Sequence, residues 1–343
     1  MEAKKLAEGE EHMRLGEKAL KTSLTKWSPD LDTAADEFSR AGTCFKVAKA
    51  YDRALDAFSR SCDCNKNCRQ LYQAAKALET SILICKDANK TDLISNLAER
   101  GGLLYRQHGS PESAAQLMEK AAKILESSRP QEALALYQKA ADTILTEDRP
   151  KQAADILGKV SQLQAKEKLW TDTANTLEQT IKLMQESGSV GVAGKYVSAL
   201  VLVHLVAEDV VAASKSLAVW GGYCDSDQSQ ALHKIIDGFG EEDGEMVKQG
   251  LNSPAMKNLD VEFTKMVKDI KIPEGTGGDL EAAAAAFGAQ RAAVIAAAEE
   301  PSKGTNETNF GVDPLEPEEL GKTVGQREEE LKNEEEEDED ELC

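Results

Sequence analysis

Three features of the sequence contain residue types that can do chemistry: a cysteine cluster, a glycine-rich segment and four histidines. The cluster, CDCNKNC, places Cys62, Cys64 and Cys68 close together, which suggests a metal site at first. It lacks the C-x-x-C pair that is usual for zinc, a fourth ligand is not evident, and the nearest histidine is His108. We therefore interpret these cysteines as small buried side chains and expect no bound metal.

The glycine-rich segment GSVGVAGKY resembles a phosphate-binding loop. That motif requires a glycine five residues before Gly194, where Ser189 stands, and Ser or Thr after Lys195, where Tyr196 stands. We reject a phosphate site and interpret the segment as a flexible turn.

The histidines are scattered along the chain and have no partner set of serine, cysteine or carboxylate that would form a catalytic constellation. They are His12, His108, His204 and His233. We predict that the chain is not an enzyme and uses neither a cofactor nor a small-molecule substrate.

The composition favours helices throughout. Hydrophobic residues make up 41% of the 343 residues and aromatic residues only 5%, and runs such as 281–286 are nearly all alanine and glutamate. Alanine, leucine, lysine and glutamate have the highest helix propensities. No stretch rich in Val, Ile and Thr alternates in the manner of a strand. The sequence predicts an all-α fold.

The net charge of −20 is concentrated near the C-terminus. Residues 328–341 carry 11 acidic side chains against Lys332 alone, a net charge of −10, and residues 301–327 add −2. The first 300 residues therefore have a net charge of only −8. An acidic chain does not neutralise phosphates through its overall field, so we expect no nucleic-acid partner.

Repeated segments indicate how the helices are organised. Pro111, Pro130 and Pro150 each begin a similar segment, and proline suits the first turn of a helix. Small and larger apolar residues follow each proline at the spacing of one helical face. A pair of helices in roughly every 40 residues resembles the repeat of tetratricopeptide arrays, which is about 34 residues long. Because one pair cannot bury its own apolar face, we predict a right-handed solenoid of antiparallel helix hairpins.

The predicted domains follow from breaks in this pattern. Residues 1–272 form the solenoid, capped by a C-terminal helical bundle that includes helices at Asp227–Phe239, Gly244–Leu251 and Met256–Asp269. Residues 273–300 form a Gly/Pro hinge and an alanine-rich helix (280–299). Residues 301–343 are too polar to bury a core and are predicted to be a disordered acidic tail.

Nothing in the sequence resembles a signal peptide, and no apolar run reaches the ~20 residues needed to span a bilayer. Seven cysteines without an export signal fit reduced thiols. These features favour a cytoplasmic protein.

Several passages closely resemble the soluble NSF attachment proteins, in particular the gamma type. They include EGEEHMRLGEKALKTSLTKWSPD, LYQKAADTILTEDRPKQAADILGKVSQL and NSPAMKNLDVEFTKM. The resemblance implies a non-enzymatic adaptor that binds assembled SNARE four-helix bundles and recruits the hexameric AAA ATPase NSF, which disassembles them. The alanine-rich helix and the long spacer after it are not part of this pattern.

The resemblance also implies which residues act at the end of the chain. Leu342 is the penultimate residue and follows acidic residues, as in the segment by which the family stimulates the ATPase, and Glu341 and Asp340 would attract a basic surface. The alternative interpretation is a tail that only increases solubility.

The segment TSLTKWSP has two interpretations. Leu24 and Trp27 are apolar where turn residues are expected, so with Lys21 and Lys26 they would make a shallow membrane contact, as this loop does in related adaptors. Alternatively, Trp27 staples the start of a helix that begins at Pro29.

Four lysines on or beside the repeated helices are candidates for contact with an acidic SNARE bundle: Lys120, Lys123, Lys139 and Lys159. The alternative for each is ordinary solvated surface.

A second function class is a general helical-repeat scaffold or co-chaperone that captures peptide termini. It would require a Lys/Asn/Arg clamp at matched repeat positions, which we do not find.

Overall fold

The computed structural model describes residues 2–22 and 27–273. Within these ranges every regular element is helical, so the predicted all-α class is confirmed. Eleven helices follow one another as antiparallel neighbours: α1 Glu2–Leu20, α2 Leu31–Val47, α3 Tyr51–Asn67, α4 Leu71–Asp87, α5 Ile94–Gln107, α6 Pro111–Leu125, α7 Pro130–Leu145, α8 Pro150–Lys166, α9 Trp170–Glu186, α10 Ala193–Val206 and α11 Val210–Trp220. The C-terminal part of the described chain contains α12 Ser226–Gly240, α13 Gly244–Leu251, α14 Pro254–Lys257 and α15 Val261–Met266.

Most turns between helices share one hydrogen-bonded geometry. In the turn after α2, Lys49 has a φ of +56°, and the amide of Ala50 donates to the carbonyl of Phe45 over 2.9 Å. This is the Schellman arrangement, which satisfies carbonyl groups at the end of a helix. The same left-handed conformation recurs at a spacing of 20 residues, with one turn of different geometry after α6: Lys49, Arg69, Asn89 and Gly109, then Asp148, Lys168, Gly188 and Glu208. A helix and its turn therefore occupy 20 residues, which explains the 40-residue hairpin.

Glycines let the first helices approach closely. A Cβ atom on Gly9 would lie 2.7 Å from the ring of Phe45, and one on Gly16 would lie 2.7 Å from the ring of Phe38. Each ring of α2 therefore lies directly over the backbone of α1. Arg53 of α3 then stacks over the Phe45 ring at 4.2 Å. The N-terminal helix is thus packed on α2 by a repeated glycine–aromatic contact.

The C-terminal part departs from the sequence prediction. The prediction of a single helix at Met256–Asp269 is wrong, because the chain forms α14 and α15 with a break between them. Ser253 caps α14 by accepting from the amide of Met256. Asp260 stands at the start of α15, where its carboxylate accepts from Gln162 at 3.0 Å and pairs with Lys195 at 3.6 Å. The break therefore places a carboxylate against α8 and α10.

The segment GSVGVAGKY is also more regular than the flexible turn that we predicted. Val190–Val192 forms a 3₁₀ turn, and α10 begins at the next residue. Gly194 is buried in the first turn of α10, where an added Cβ would lie 2.8 Å from the carbonyl oxygen of Tyr223. The glycine serves close packing between chain segments.

Helix packing gives a first prediction at Ala140. This residue of α7 is fully buried, whereas Ala135 of the same helix is exposed. Ala140→Glu should lower the free energy of unfolding by about 3 kcal/mol or more, because it overpacks the interface and buries an unpartnered charge. Ala135→Glu is the matched control and should change it by less than about 0.5 kcal/mol. Urea denaturation followed by circular dichroism measures both, and equal stability of the two variants would contradict the assigned helix face.

Candidate functional site

Trp27 stands out on the surface because its side chain is 91% exposed. It lies in the connection between α1 and α2. The helix α2 begins at Leu31, so a helix start at Pro29 is wrong. Asp30 is the N-cap, and its carboxylate accepts from the amide of Thr33 at 3.1 Å. The cap is therefore made by Asp30, and Trp27 does not staple the helix.

Only part of the predicted membrane-contact set is described. Lys21 follows the end of α1 and is exposed, on the same connection as Trp27. Leu24 and Lys26 lie outside the described residues. Trp27 and Lys21 thus provide an exposed indole and a cation, the combination that favours a lipid interface.

Three of the four candidate lysines are joined to a glutamate 40 or 41 residues earlier in the chain. Each pair connects a helix to the second helix before it in the chain. The pairs are Lys120 with Glu79 at 2.8 Å, Lys139 with Glu99 at 2.5 Å, and Lys159 with Glu119. These glutamates were missed in the sequence analysis, although their constant spacing from the lysines is a readable signal.

The structure distributes the four lysines over two layers of helices. Lys120 and Lys123 lie on α6 and Lys159 on α8, which belong to the layer of even-numbered helices. Lys139 lies on α7, in the layer of odd-numbered helices. Among residues 2–22 and 27–273, Lys123 is exposed and has no ion pair. The structure therefore does not bring the four lysines together on one surface.

Glu79 joins three helices. It accepts from Lys120 of α6 at 2.8 Å, from Lys76 of α4 at 3.0 Å and from the hydroxyl of Tyr105 of α5 at 3.2 Å. Burial by itself raises the pKa of Glu79, but the two lysine hydrogen bonds outweigh it and lower the pKa below its ordinary value of 4.5. Glu79 is therefore ionised at neutral pH and holds both lysines in place.

The cysteine cluster lies within and just after α3. Cys62 and Cys64 are buried, as expected for small core side chains, and Cys68 is partly buried. Burial raises the pKa of the Cys62 thiol to about 11, so this thiol is protonated at neutral pH. In the described ranges, no three His, Cys, Asp or Glu side chains are grouped in a way that would hold a metal ion.

The remaining predicted elements cannot be located in the array. Leu342, Glu341 and Asp340, together with the alanine-rich helix 280–299, lie outside the described residues. In the part of the chain that is described, no helix is both long and apolar enough to cross a bilayer.

A model of the soluble NSF attachment protein family matches residues 7–272, which is the whole of α2 to α15 and most of α1. The chain belongs to this family. Its members are non-enzymatic adaptors of NSF.

Solved structures share less with this chain. BtubC from P. vanneervenii is 10% identical and the alignment covers 92% of this chain and 97% of BtubC, with a TM-score of 0.34. Aspartyl phosphate phosphatase F from Bacillus subtilis is 14% identical. The alignment covers 80% of this chain and 74% of the phosphatase, with a TM-score of 0.28. We draw no functional conclusion from either likeness.

The Glu79 cluster gives a second prediction. Glu79→Gln should lower the free energy of unfolding of the chain by about 1 kcal/mol at pH 7, because it removes the charge that two lysines share. A carboxylate whose pKa is lowered on folding stabilises the fold above its unfolded pKa and loses that contribution as the pH falls. The difference between wild type and variant should therefore be largest above pH 4.5 and shrink below it.

The matched control is Glu178→Gln, because Glu178 pairs with Lys182 of its own helix, at 4.0 Å. This control should change stability by a few tenths of a kcal/mol. Thermal unfolding from pH 3 to pH 7 measures both variants. A difference for Glu79→Gln that does not depend on pH would contradict the assigned ionisation.

Proposed function

We propose that this chain is a gamma-type soluble NSF attachment protein that binds assembled SNARE four-helix bundles and recruits the NSF hexamer for their disassembly. The observation that carries the proposal is the family match over residues 7–272, which covers nearly the whole described array. The passages that resemble the gamma type fall within the same range. The adaptor itself hydrolyses nothing, and its place is the cytoplasmic surface of membranes that have undergone fusion.

The SNARE bundle would lie along the layer of even-numbered helices. Lys120, Lys123 and Lys159 all belong to α6 and α8 of that layer, so they can act together on an acidic coil. Lys120 and Lys159 already hold glutamates of the array, which reduces the charge that they can offer. Lys123 therefore contributes most, while Lys139, in the other layer, contributes least.

The motor would be engaged by the end of the tail. Leu342 supplies one apolar anchor, and Glu341 and Asp340 belong to an acidic field that attracts a basic surface from a distance. Attraction of this kind weakens as salt is added, whereas the burial of the leucine does not.

The first test is direct. Assembled SNARE bundles, NSF and ATP are incubated with and without the chain, and both co-sedimentation with the bundles and their disassembly are measured. Binding and disassembly that both require the chain support the proposal. A chain that neither binds the bundles nor changes NSF activity would leave the general scaffold as the better interpretation.

A third prediction concerns the tail. Leu342→Ala should leave binding to SNARE bundles intact and reduce NSF ATPase stimulation several-fold, because a buried leucine side chain contributes about 1–3 kcal/mol. Leu331→Ala is the matched control within the same acidic segment and should retain full stimulation. Rates are compared at equal SNARE occupancy. Equal stimulation by both variants and by wild type would assign the activating contact elsewhere.

A fourth prediction concerns membrane contact. Trp27→Ser should weaken co-flotation with vesicles that contain phosphatidylserine several-fold, because an exposed indole gains free energy at the lipid interface. Val261→Ser removes another exposed apolar side chain, 65% accessible on α15, and should leave flotation unchanged. Flotation that is identical for Trp27→Ser and wild type would exclude Trp27 as the membrane contact.

A further inference from the structure

The helix α11 carries an apolar face that no other described helix covers. Val211 and Val219 are 44% and 45% exposed and lie two turns apart on one side of the helix, with Lys215 and the exposed Ala218 between them. In a helix of 11 residues, only Ala213, Ser216 and Leu217 are buried. Every earlier helix from α2 to α10 buries six or more residues.

The open face results from a change in packing after α11. Gly221–Tyr223 forms a 3₁₀ turn, and α12 then packs mainly against α13. The helices after α11 therefore do not pack along α11 in the way that α3 packs along α1. An apolar strip is left at the point where the regular array ends.

The described chain ends beside this helix. Lys271 pairs with Glu208, which precedes the first residue of α11 by two positions, at 2.5 Å. The backbone at Pro273 lies against Gly244, where an added Cβ would be 2.5 Å from the carbonyl oxygen of Pro273. The polypeptide thus leaves the array close to the N-terminus of α11.

The sequence that follows contains one segment that fits such a strip. Residues 274–279 are a short Gly-rich connection, and in residues 280–299 Leu280, Phe287 and Val294 recur every seven residues with alanine at most positions between them. That spacing forms one apolar stripe on a helix. Small residues beside the stripe allow close approach to another helix. Six extended residues reach about 20 Å, whereas a helix of 11 residues is about 16 Å long, so the segment can cover all of α11.

We propose that residues 280–299 dock as an amphipathic helix on the face of α11 formed by Val211, Ala218 and Val219. The docking does not depend on the proposed function. One consequence does: holding residues 280–299 on the array shortens the free tether that ends at Leu342 and raises the local concentration of the tail at a motor bound nearby.

Hydrogen exchange of the full chain, followed by mass spectrometry, tests the docking. Phe287→Asp should accelerate exchange of the α11 amides roughly tenfold, because the helix loses an apolar partner and opens more often. Phe310→Asp is the matched control, since it places the same charge in the acidic tail beyond the segment. The control should leave α11 unchanged.

The reciprocal variants examine the other side of the contact. Val219→Asp should accelerate exchange within residues 280–299, whereas Val261→Asp, at an exposed valine of α15, should not. Both substitutions are at exposed positions, so circular dichroism should show wild-type helix content. Unchanged α11 exchange in Phe287→Asp would overturn the proposal. Protection of the α11 amides that depends on protein concentration would also overturn the proposal, because it would assign the face of α11 to a second copy of the chain. Neither result would affect SNARE binding or NSF recruitment, which are measured separately.

Discussion

The whole array depends on neighbouring helices approaching closely enough for alanine and glycine to form their interfaces. Fully buried alanines occur on every helix from α2 to α8, and their small side chains leave room for one large partner beside them. On α7, Ala140 and Ala141 are fully buried next to Leu136 and Tyr137. Close approach of this kind increases dispersion contacts along the entire length of a helix. It also explains why a sequence with so few aromatic residues forms a core that extends from Ala41 to Ile270.

The close interfaces require a constant helix length and turn, because a longer or shorter unit would move the small residues out of register with their neighbours. The 20-residue spacing of left-handed turn residues meets this requirement. Most of these residues are not glycine, so the chain accepts a conformational cost of about 1 kcal/mol at each. Their side chains are used elsewhere: Lys168 pairs with Asp269 at 2.8 Å, and Glu208 pairs with Lys271. Two turns of the array are thereby tied to the C-terminal segment.

Whether the sequence predicts a feature depends on how far apart along the chain the residues that determine it lie. The starts of α6, α7 and α8 are decided locally by Pro111, Pro130 and Pro150, and the structure begins each helix at its proline. The break between α14 and α15 is not local, because Asp260 meets Gln162 across 98 residues of sequence. The four candidate lysines were predicted to contact the same acidic bundle, yet alternation of the helices between two layers separates Lys139 from the others. The exposure of Trp27 was equally undecided, because it depends on where α2 begins: with Asp30 as the N-cap, Trp27 lies three residues before the cap and not next to it.

The division of charge along the chain has a physical consequence for the two partners proposed above. Through residue 300 the net charge is only −8. In the described part, lysines pair with glutamates of neighbouring helices. An acidic coil therefore encounters little long-range repulsion from the array. Residues 328–341 concentrate a charge of −10 in 14 positions, and the same acidic coil would repel them. A basic surface would attract that segment and gain little from the array. The array and the tail therefore differ in the charge of the surface that each can approach, which would reduce competition between the two proposed partners. Because both effects act through solvent, added salt should weaken this discrimination before it weakens the contacts that bury apolar surface.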